Sequence, residues 1–259
     1  MEINLTESQE RYIPLPVRRA LRREAYFGCA KCGSPILEYH HIVPWAEDNH
    51  NDPNHMVALC PTHHRQFEKL DRQRSYDLKS NPRNKSVNKL YGELGTDKKI
   101  TSFLVGSNTY EDTPIVFSYF ERPIIGYVIE ENQVLLDVYI PKEDMWPDVF
   151  IKRNDMIINS GDAWDIEFRT NYLRIQKKSR ESFFELDLRE EVGLISGAFS
   201  IGGNEFRFSP TSTNLGGASI SNSHFVRCGG GIAYGDGKHR LLWPNFAMLE
   251  PRAIYAKRC

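Results

Sequence analysis

Long hydrophobic runs are missing from this 259-residue sequence. No stretch approaches the roughly 18 consecutive apolar residues that a membrane-spanning helix needs, so we expect no contact with a membrane. The first residues, MEINLTESQERYIPLP, also lack a basic segment followed by an apolar one, which predicts that there is no secretory signal. Both absences favour a cytoplasmic protein.

Cysteine is scarce, and its number is odd. Three of the five cysteines, Cys29, Cys32 and Cys60, lie with several histidines in one short segment, whereas Cys228 and Cys259 stand alone. This distribution is typical of a metal site in a reducing compartment and argues against a framework of disulfides.

A strong excess of charge is lacking too, because 33 Lys and Arg nearly balance 34 Asp and Glu. The first 100 residues contain 16 basic and 13 acidic residues, a balance of +3, and the remainder has a balance of −4. So small an excess does not by itself indicate a nucleic-acid partner.

The residue pattern of the chain changes at about residue 100. In the first part, helical patterns at 17–27 and 61–70 flank a strand-like run at 36–42. After residue 100, short alternating apolar runs are separated by turns rich in Gly, Asn and Asp, which is typical of an all-β domain. We therefore predict an α+β protein with an N-terminal domain at 1–75, a partly helical connector at 76–100 and a β-rich, sandwich- or solenoid-like domain at 101–259.

Two pairs of metal-binding residue types lie in the N-terminal part. Cys29 and Cys32 form a C-x-x-C pair, and Cys60 and His63 form a C-x-x-H pair 28 residues further on. Pairs with this spacing can close a tetrahedral shell around one structural Zn²⁺, which would stabilise a segment too small to bury much core. The alternative is that the three cysteines are buried free thiols.

Between and after these pairs stand the runs LEYHHIVP and NHMVALCPTHH. The whole pattern, CxxCG…LExHHIxP…LCxxxH, resembles the HNH (ββα-metal) endonuclease family, in its bacterial type with zinc knuckles. The resemblance covers about residues 14–70 and implies a zinc-stapled ββα-metal nuclease domain. It implies that His40 and His64 bind the catalytic metal and that His41 is the general base. The middle letter of the motif falls on His55, or on Asn54 after a shift of one residue.

The chemistry of phosphodiester hydrolysis suits these residue types. A histidine with a pKa near 6.5 can take a proton from water at neutral pH, and a divalent ion such as Mg²⁺, Mn²⁺ or Ni²⁺ can bind a phosphate oxygen. Neighbouring helical residues point about 100° apart, so His63 can face the zinc while His64 faces the catalytic metal. Glu68, one turn after His64, is a candidate third ligand. His40 and His41 are strand neighbours and should point to opposite faces, so the hairpin must bend or end there.

A basic helix precedes the cysteines. Arg18, Arg19, Arg22 and Arg23 are spaced to form one basic face, which either contacts a phosphate backbone or is simply solvated.

These observations predict a metal-dependent endonuclease that cuts DNA, with RNA as the alternative substrate, and the resemblance suggests a setting in restriction or phage defence. The β-rich domain would recognise the target, form a homo-oligomer or bind a regulatory partner. The rival interpretation is a zinc-ribbon module that binds nucleic acid or protein and carries a degenerate nuclease site.

Overall fold

The computed structural model describes residues 12–67, 71–95, 99–120, 122–142 and 147–235. It is mixed in secondary structure, with few helices and mostly β-sheet. The chain divides into two compact units after Val87. No helix in the described ranges is long and apolar enough to cross a membrane.

Within the described residues, the N-terminal unit has three α-helices and one antiparallel hairpin. In chain order these are α1 (Leu15–Glu24), β1 (Glu38–His41), β2 (Met56–Leu59), α2 (Pro61–Phe67) and α3 (Arg72–Ser80), with short 3₁₀ helices at Pro53–His55 and Arg83–Ser86. Pro16 lies at the start of α1 and Pro61 opens α2, where a missing N–H costs no hydrogen bond. Glu68, a predicted metal ligand, lies outside the described residues.

The core of this unit is small. It joins buried residues of the hairpin and α2 to the cysteine segment, and the half-buried Tyr76 and Leu78 of α3 pack against it; its buried members are Cys29, Ala30, Ile42, Val57, Leu59, Cys60 and Phe67. A cluster of this size buries little apolar surface, so a bound metal would add much of its stability.

Residues 76–100, the predicted connector, are divided between the two units at Val87. Helix α3 and the 3₁₀ helix at Arg83–Ser86 belong to the N-terminal unit, where the amide of Arg83 donates to the carbonyl of Ala30 at 2.9 Å. Strand β3 (Lys89–Glu93) pairs with a strand of the C-terminal unit. The described residues of this segment therefore complete the elements on either side of Val87.

The described residues of the C-terminal unit form two sheets. In the order of pairing, the seven-stranded sheet contains β19 (Ile232–Tyr234), β6 (Ile115–Tyr119), β7 (Arg122–Glu130), β8 (Gln133–Ile140), β9 (Val149–Lys152), β10 (Asp155–Asn159) and β3. The ten-stranded sheet contains β11 (Asp165–Arg169), β12 (Tyr172–Lys178), β13 (Glu181–Asp187), β14 (Val192–Ile201), β15 (Asn204–Ser209), β16 (Ser212–Leu215) and β17 (Ala218–Ile220), joined by β4 (Ser102–Val105), β5 (Asn108–Glu111) and β18 (His224–Val226).

Most neighbouring strands are joined by tight turns of the kind that the sequence predicts. Between β7 and β8, Glu131 and Asn132 have φ of 51° and 66°, as in a type I′ turn, whose twist matches that of the flanking strands. The two sheets contact each other through aromatic side chains. The ring of Phe117 lies 5.1 Å from that of Phe206, and the ring of Phe103 lies 4.4 Å from that of Tyr127.

Candidate active site and zinc site

The four predicted zinc ligands lie together in the N-terminal unit. The ligand atoms of Cys29, Cys32, Cys60 and His63 are all within 4.8 Å of one another, and they form the one such cluster found among the described residues. Nδ1 of His63 is 3.2 Å from Sγ of Cys60 and 3.5 Å from Sγ of Cys29, and the sulfurs of Cys32 and Cys60 are 3.9 Å apart. The prediction that these four residues lie together in one cluster that could hold a metal ion is confirmed.

These distances fit a tetrahedral zinc ion. With Zn–S bonds of about 2.3 Å and a Zn–N bond of about 2.0 Å, two sulfurs lie about 3.8 Å apart, and a sulfur and a nitrogen about 3.5 Å. Without a cation, burial and the neighbouring thiols of Cys29 and Cys60 raise the pKa of Cys32 to about 12. A divalent cation reverses this preference, because thiolates are the binding form.

The loop that carries Cys29 and Cys32 is held by a residue far along the chain. Gly33 has a φ of +81°, and its amide closes the loop on the carbonyl of Cys29 at 2.7 Å. The buried amide of Asn84 donates to the carbonyl of Gly33 at 3.4 Å, and a Cβ added to either Gly28 or Gly33 would lie 2.3 Å from the Asn84 side chain. The residues that follow α3 are therefore part of the zinc-binding structure.

The first histidine group lies on one face of the hairpin. Glu38 and His40 alternate along β1 and so share a face. Nδ1 of His64, on α2, lies 2.8 Å from Oε2 of Glu38, and the rings of His64 and His40 have centroids 5.2 Å apart. Two imidazoles bound to one tetrahedral ion have centroids about 5 Å apart. The donor set therefore suits a divalent metal, with Glu38 placed to ligate it or to orient His64.

His41 lies at the end of β1, where its ring is half-buried. Its Nε2 is 3.1 Å from the main-chain carbonyl of His50, and its ring is 5.5 Å from that of Trp45. A carbonyl only accepts, so Nε2 carries the hydrogen and Nδ1 keeps its lone pair. Burial lowers the pKa of His41, and the charges of His50 and His64 lower it further, against the opposite effect of the hydrogen bond. His41 therefore lies within electrostatic range of the His64 group, although strand neighbours point to opposite faces.

Asn54 and His55 are the two candidates for the middle position of the motif, and their side chains have different surroundings. The side chain of Asn54 is exposed, and its main-chain N–H donates to Oδ1 of Asp52 at 2.9 Å. The ring of His55 lies 5.8 Å from that of His50, and its Nδ1 is 2.7 Å from the hydroxyl of Tyr76. The structure thus brings His55, and not the side chain of Asn54, to the histidine cluster.

Sequence analysis missed two residues of this site. His50 contacts His41 through its main-chain carbonyl, which no side-chain pattern identifies. Tyr76 reaches His55 from α3, 21 positions further along the chain. Only the predicted packing of a helix against the hairpin could have suggested Tyr76.

The four arginines of α1 do not share one environment. Arg22 is buried, and its guanidinium donates to the hydroxyl of Tyr39 at 3.0 Å, so it does not belong to an exposed basic surface. A guanidinium nitrogen of Arg18 donates to the hydroxyl of Tyr12 at 3.0 Å. Arg19 is half-buried and Arg23 is exposed.

The family model of HNH endonuclease matches residues 29–69. The matched segment contains both halves of the zinc-ligand cluster and all six histidines of the N-terminal unit. This part of the chain is an HNH endonuclease domain, as the motif pattern predicts. Comparisons with curated proteins and with solved structures found no match.

Proposed function

We propose that the HNH endonuclease domain acts as a metal-dependent nuclease that hydrolyses phosphodiester bonds in DNA. In this proposal the unit that ends at Val87 has the ββα-metal arrangement, with β1, β2 and α2 as its three elements. A structural Zn²⁺ at the Cys29 cluster holds α2 in place.

One observation carries the proposal. His40 and His64 lie together with Glu38, as two or three candidate ligands that would leave coordination positions open on a bound ion. Nε2 of His41, the residue next to His40, is held by a carbonyl. A structural metal site has all of its coordination positions filled by protein ligands, whereas this group would leave some for phosphate and water. A histidine that only fills the core does not require one particular tautomer, whereas a general base does.

The residues divide the work of hydrolysis. Nδ1 of His41, which keeps its lone pair, accepts a proton from the attacking water. His40 and His64 would hold the divalent ion, with Glu38 ligating it or bracing His64. When bound, that ion supplies Lewis-acid stabilisation of the phosphate and of the departing oxygen. His55 takes the middle position of the motif, and Tyr76 orients its ring. Glu68 remains a candidate ligand from the sequence alone.

The remaining assignments extend this proposal. Arg18, Arg19 and Arg23 contact the phosphate backbone without reading the sequence. The sandwich-like C-terminal unit recognises the target, forms a homo-oligomer or binds a regulatory partner. A role in restriction or phage defence follows from the family resemblance.

Cleavage of supercoiled plasmid tests the proposal directly. The full chain is incubated with plasmid, and separately with RNA, in Mg²⁺, Mn²⁺ or Ni²⁺, and is compared with His41→Ala. We expect nicking by the wild type and a loss of at least about 100-fold in the variant, which is the usual contribution of a general base. His224→Ala, in the C-terminal unit, is the matched control.

Two outcomes reject nuclease activity. Either the wild type binds nucleic acid but cuts nothing with any metal, or His41→Ala cuts as fast as the wild type. The first outcome instead supports a zinc-ribbon binding module with a degenerate site. Cutting of RNA but not of plasmid would replace the proposed substrate.

A further inference from the structure

The side chain of His50 is bonded at both ring nitrogens to the main chain of its own loop. Its Nδ1 accepts a hydrogen bond from the amide of Asp52 at 3.2 Å, and its Nε2 lies 3.1 Å from the carbonyl oxygen of Val43. An amide only donates and a carbonyl only accepts, so the pattern requires a neutral ring with its hydrogen on Nε2.

These two bonds link both ends of the loop that connects the strands of the hairpin. Val43 follows β1 by two residues, and Asp52 caps the 3₁₀ helix before β2. The loop between them is also held by the turn in which the amides of Glu47 and Asp48 donate to the carbonyl of Pro44, by the ion pair of Glu47 with Arg72, and by the side chain of Asn51, which donates to the carbonyl of Tyr12. None of these contacts involves His50 itself. Among the described contacts, the two hydrogen bonds of the ring are the ones that tie residue 50 to both ends of the loop.

The backbone of His50 matters because its carbonyl accepts from Nε2 of His41 at 3.1 Å. The same residue therefore fixes the loop with its ring and fixes the base with its main chain. The rings of His50 and His41 also touch edge to face, with centroids 5.2 Å apart. A displacement of the carbonyl would let His41 rotate or exchange its tautomer, and the lone pair on Nδ1 would lose its direction.

We propose that the His50 side chain is a positioning residue that sets the tautomer and orientation of His41. The proposal rests on the nuclease function proposed above, since it assigns His50 a part in the same reaction. His50 touches neither metal nor substrate in this scheme. Its removal should lower kcat and leave KM nearly unchanged, because substrate binding does not involve it.

The test combines ring NMR with kinetics on the full chain. Long-range ¹H–¹⁵N correlation spectra of the zinc-loaded protein, recorded without catalytic metal, report the tautomer of each histidine, and His41→Gln assigns the His41 signals. We expect the Nε2–H tautomer at His41 in the wild type. In His50→Ala we expect a mixture of tautomers and a kcat lowered about 10- to 100-fold, the usual effect of a small misplacement of a catalytic group.

A second variant separates positioning from folding. His50→Gln offers an amide that can donate to the carbonyl of Val43, and it should recover part of the lost kcat and of the Nε2–H signal. Retained zinc shows that each variant is folded, and His224→Gln is the matched control. If His50→Ala does not retain zinc, the decision passes to His50→Phe, which keeps a ring but can make neither hydrogen bond: a mixed His41 tautomer with lowered kcat supports the proposal, and a full match to the wild type overturns it.

The outcomes distinguish this inference from the proposed function. Wild-type cleavage together with an unchanged His41 tautomer and unchanged kcat in His50→Ala overturns the role of His50 and leaves the nuclease standing. Nδ1–H at His41 in the wild type also overturns it. If the wild type cuts nothing, the nuclease proposal fails, and with it the catalytic role of His50, whatever tautomer the spectra show.

Discussion

Nδ1 of His64, on helix α2, lies 2.8 Å from a carboxylate oxygen of Glu38, on strand β1. This contact leaves Nε2 of His64 as the nitrogen that can bind a metal. Carboxylates paired with ligand histidines fix the ring and raise its basicity. Glu38 is therefore placed to support the proposed metal site, whose sequence motif consists of histidines.

Replacement of Glu38 should weaken the catalytic metal without removing it. We expect Glu38→Gln to raise the concentration of Mn²⁺ needed for half-maximal cleavage about 10- to 100-fold, since the amide keeps the shape but loses the charge. Titration of plasmid nicking against metal measures this. Glu111→Gln, an exposed residue of the C-terminal unit, should not change the titration. An unchanged half-maximal concentration in Glu38→Gln would show that Glu38 does not support the metal.

The structural zinc should respond to a different set of substitutions. Metal analysis is expected to find one tightly bound zinc per chain, lost in Cys32→Ala and kept in both His41→Ala and Cys228→Ser. Binding of structural zinc contributes on the order of 10 kcal/mol of folding free energy. The N-terminal unit of Cys32→Ala should therefore lose its fold, seen as loss of amide dispersion in its NMR spectrum. Zinc that persists in Cys32→Ala would contradict the assigned ligand set.

Tyr76 offers a finer test of the middle position. Tyr76→Phe removes the hydroxyl at 2.7 Å from His55, a hydrogen bond worth about 0.5–1.5 kcal/mol. If His55 acts in the reaction, kcat should fall about 3- to 10-fold. Tyr234→Phe removes a comparable bond, to Asn204 in the C-terminal unit, and should leave cleavage unchanged. Equal rates in the two variants would remove Tyr76 from the site.

The cluster of three cysteines and His63 could be predicted from the sequence because the spacing within each pair, C-x-x-C and C-x-x-H, is enough to bring its two side chains close together. The turn at Glu131–Asn132 was predictable for the same reason, since it depends on two adjacent residues. Contacts between residues distant in sequence were not. Asn84 reaches the cysteine loop 51 positions away, and α3 brings Tyr76 to His55. Such residues carry no local pattern, because their role exists only after the helices have packed.

The burial of Arg22 has a similar cause. Its spacing from Arg18 and Arg19 predicts one basic face, but the hairpin covers one side of α1 and the hydroxyl of Tyr39 accepts from its guanidinium. Helical spacing predicts which side chains share a face of the helix. It does not predict which of those side chains another element of the fold will bury. The exposed member, Arg23, is the better test of binding to nucleic acid.

The basic helix should contribute to binding through charge alone. In Arg23→Gln, the affinity for a DNA duplex should fall at low salt, and the slope of log K against log salt should decrease by about one. Fluorescence anisotropy at several salt concentrations measures both quantities. Arg122→Gln, an exposed arginine of the C-terminal unit, serves as the control. An unchanged slope in Arg23→Gln would place the phosphate contacts elsewhere.

Gly33 should be intolerant of a side chain for two separable reasons. Gly33→Ala requires a positive φ of an L-residue, which costs about 1–2 kcal/mol, and places Cβ 2.3 Å from Oδ1 of Asn84. Gly203→Ala has nearly the same φ, +80°, and meets no atom within 4 Å. We expect Gly33→Ala to lose zinc to a chelator faster than the wild type, and to be destabilised more than Gly203→Ala. If Gly33→Ala and Gly203→Ala lower the free energy of unfolding equally, the Asn84 side chain moves away from the new Cβ at no energetic cost.

Two proposed metal sites in this domain are separated by a single peptide bond. His63 belongs to the cysteine cluster and His64 to the group with Glu38 and His40. One residue inserted before His63 would rotate both rings by about 100° and take each from its own ion. The stretch from Cys60 to His64 can therefore vary in the identity of its intervening residues, Pro61 and Thr62, but not in its length. In homologous proteins that keep both groups of ligands, we expect no insertion or deletion within these five positions.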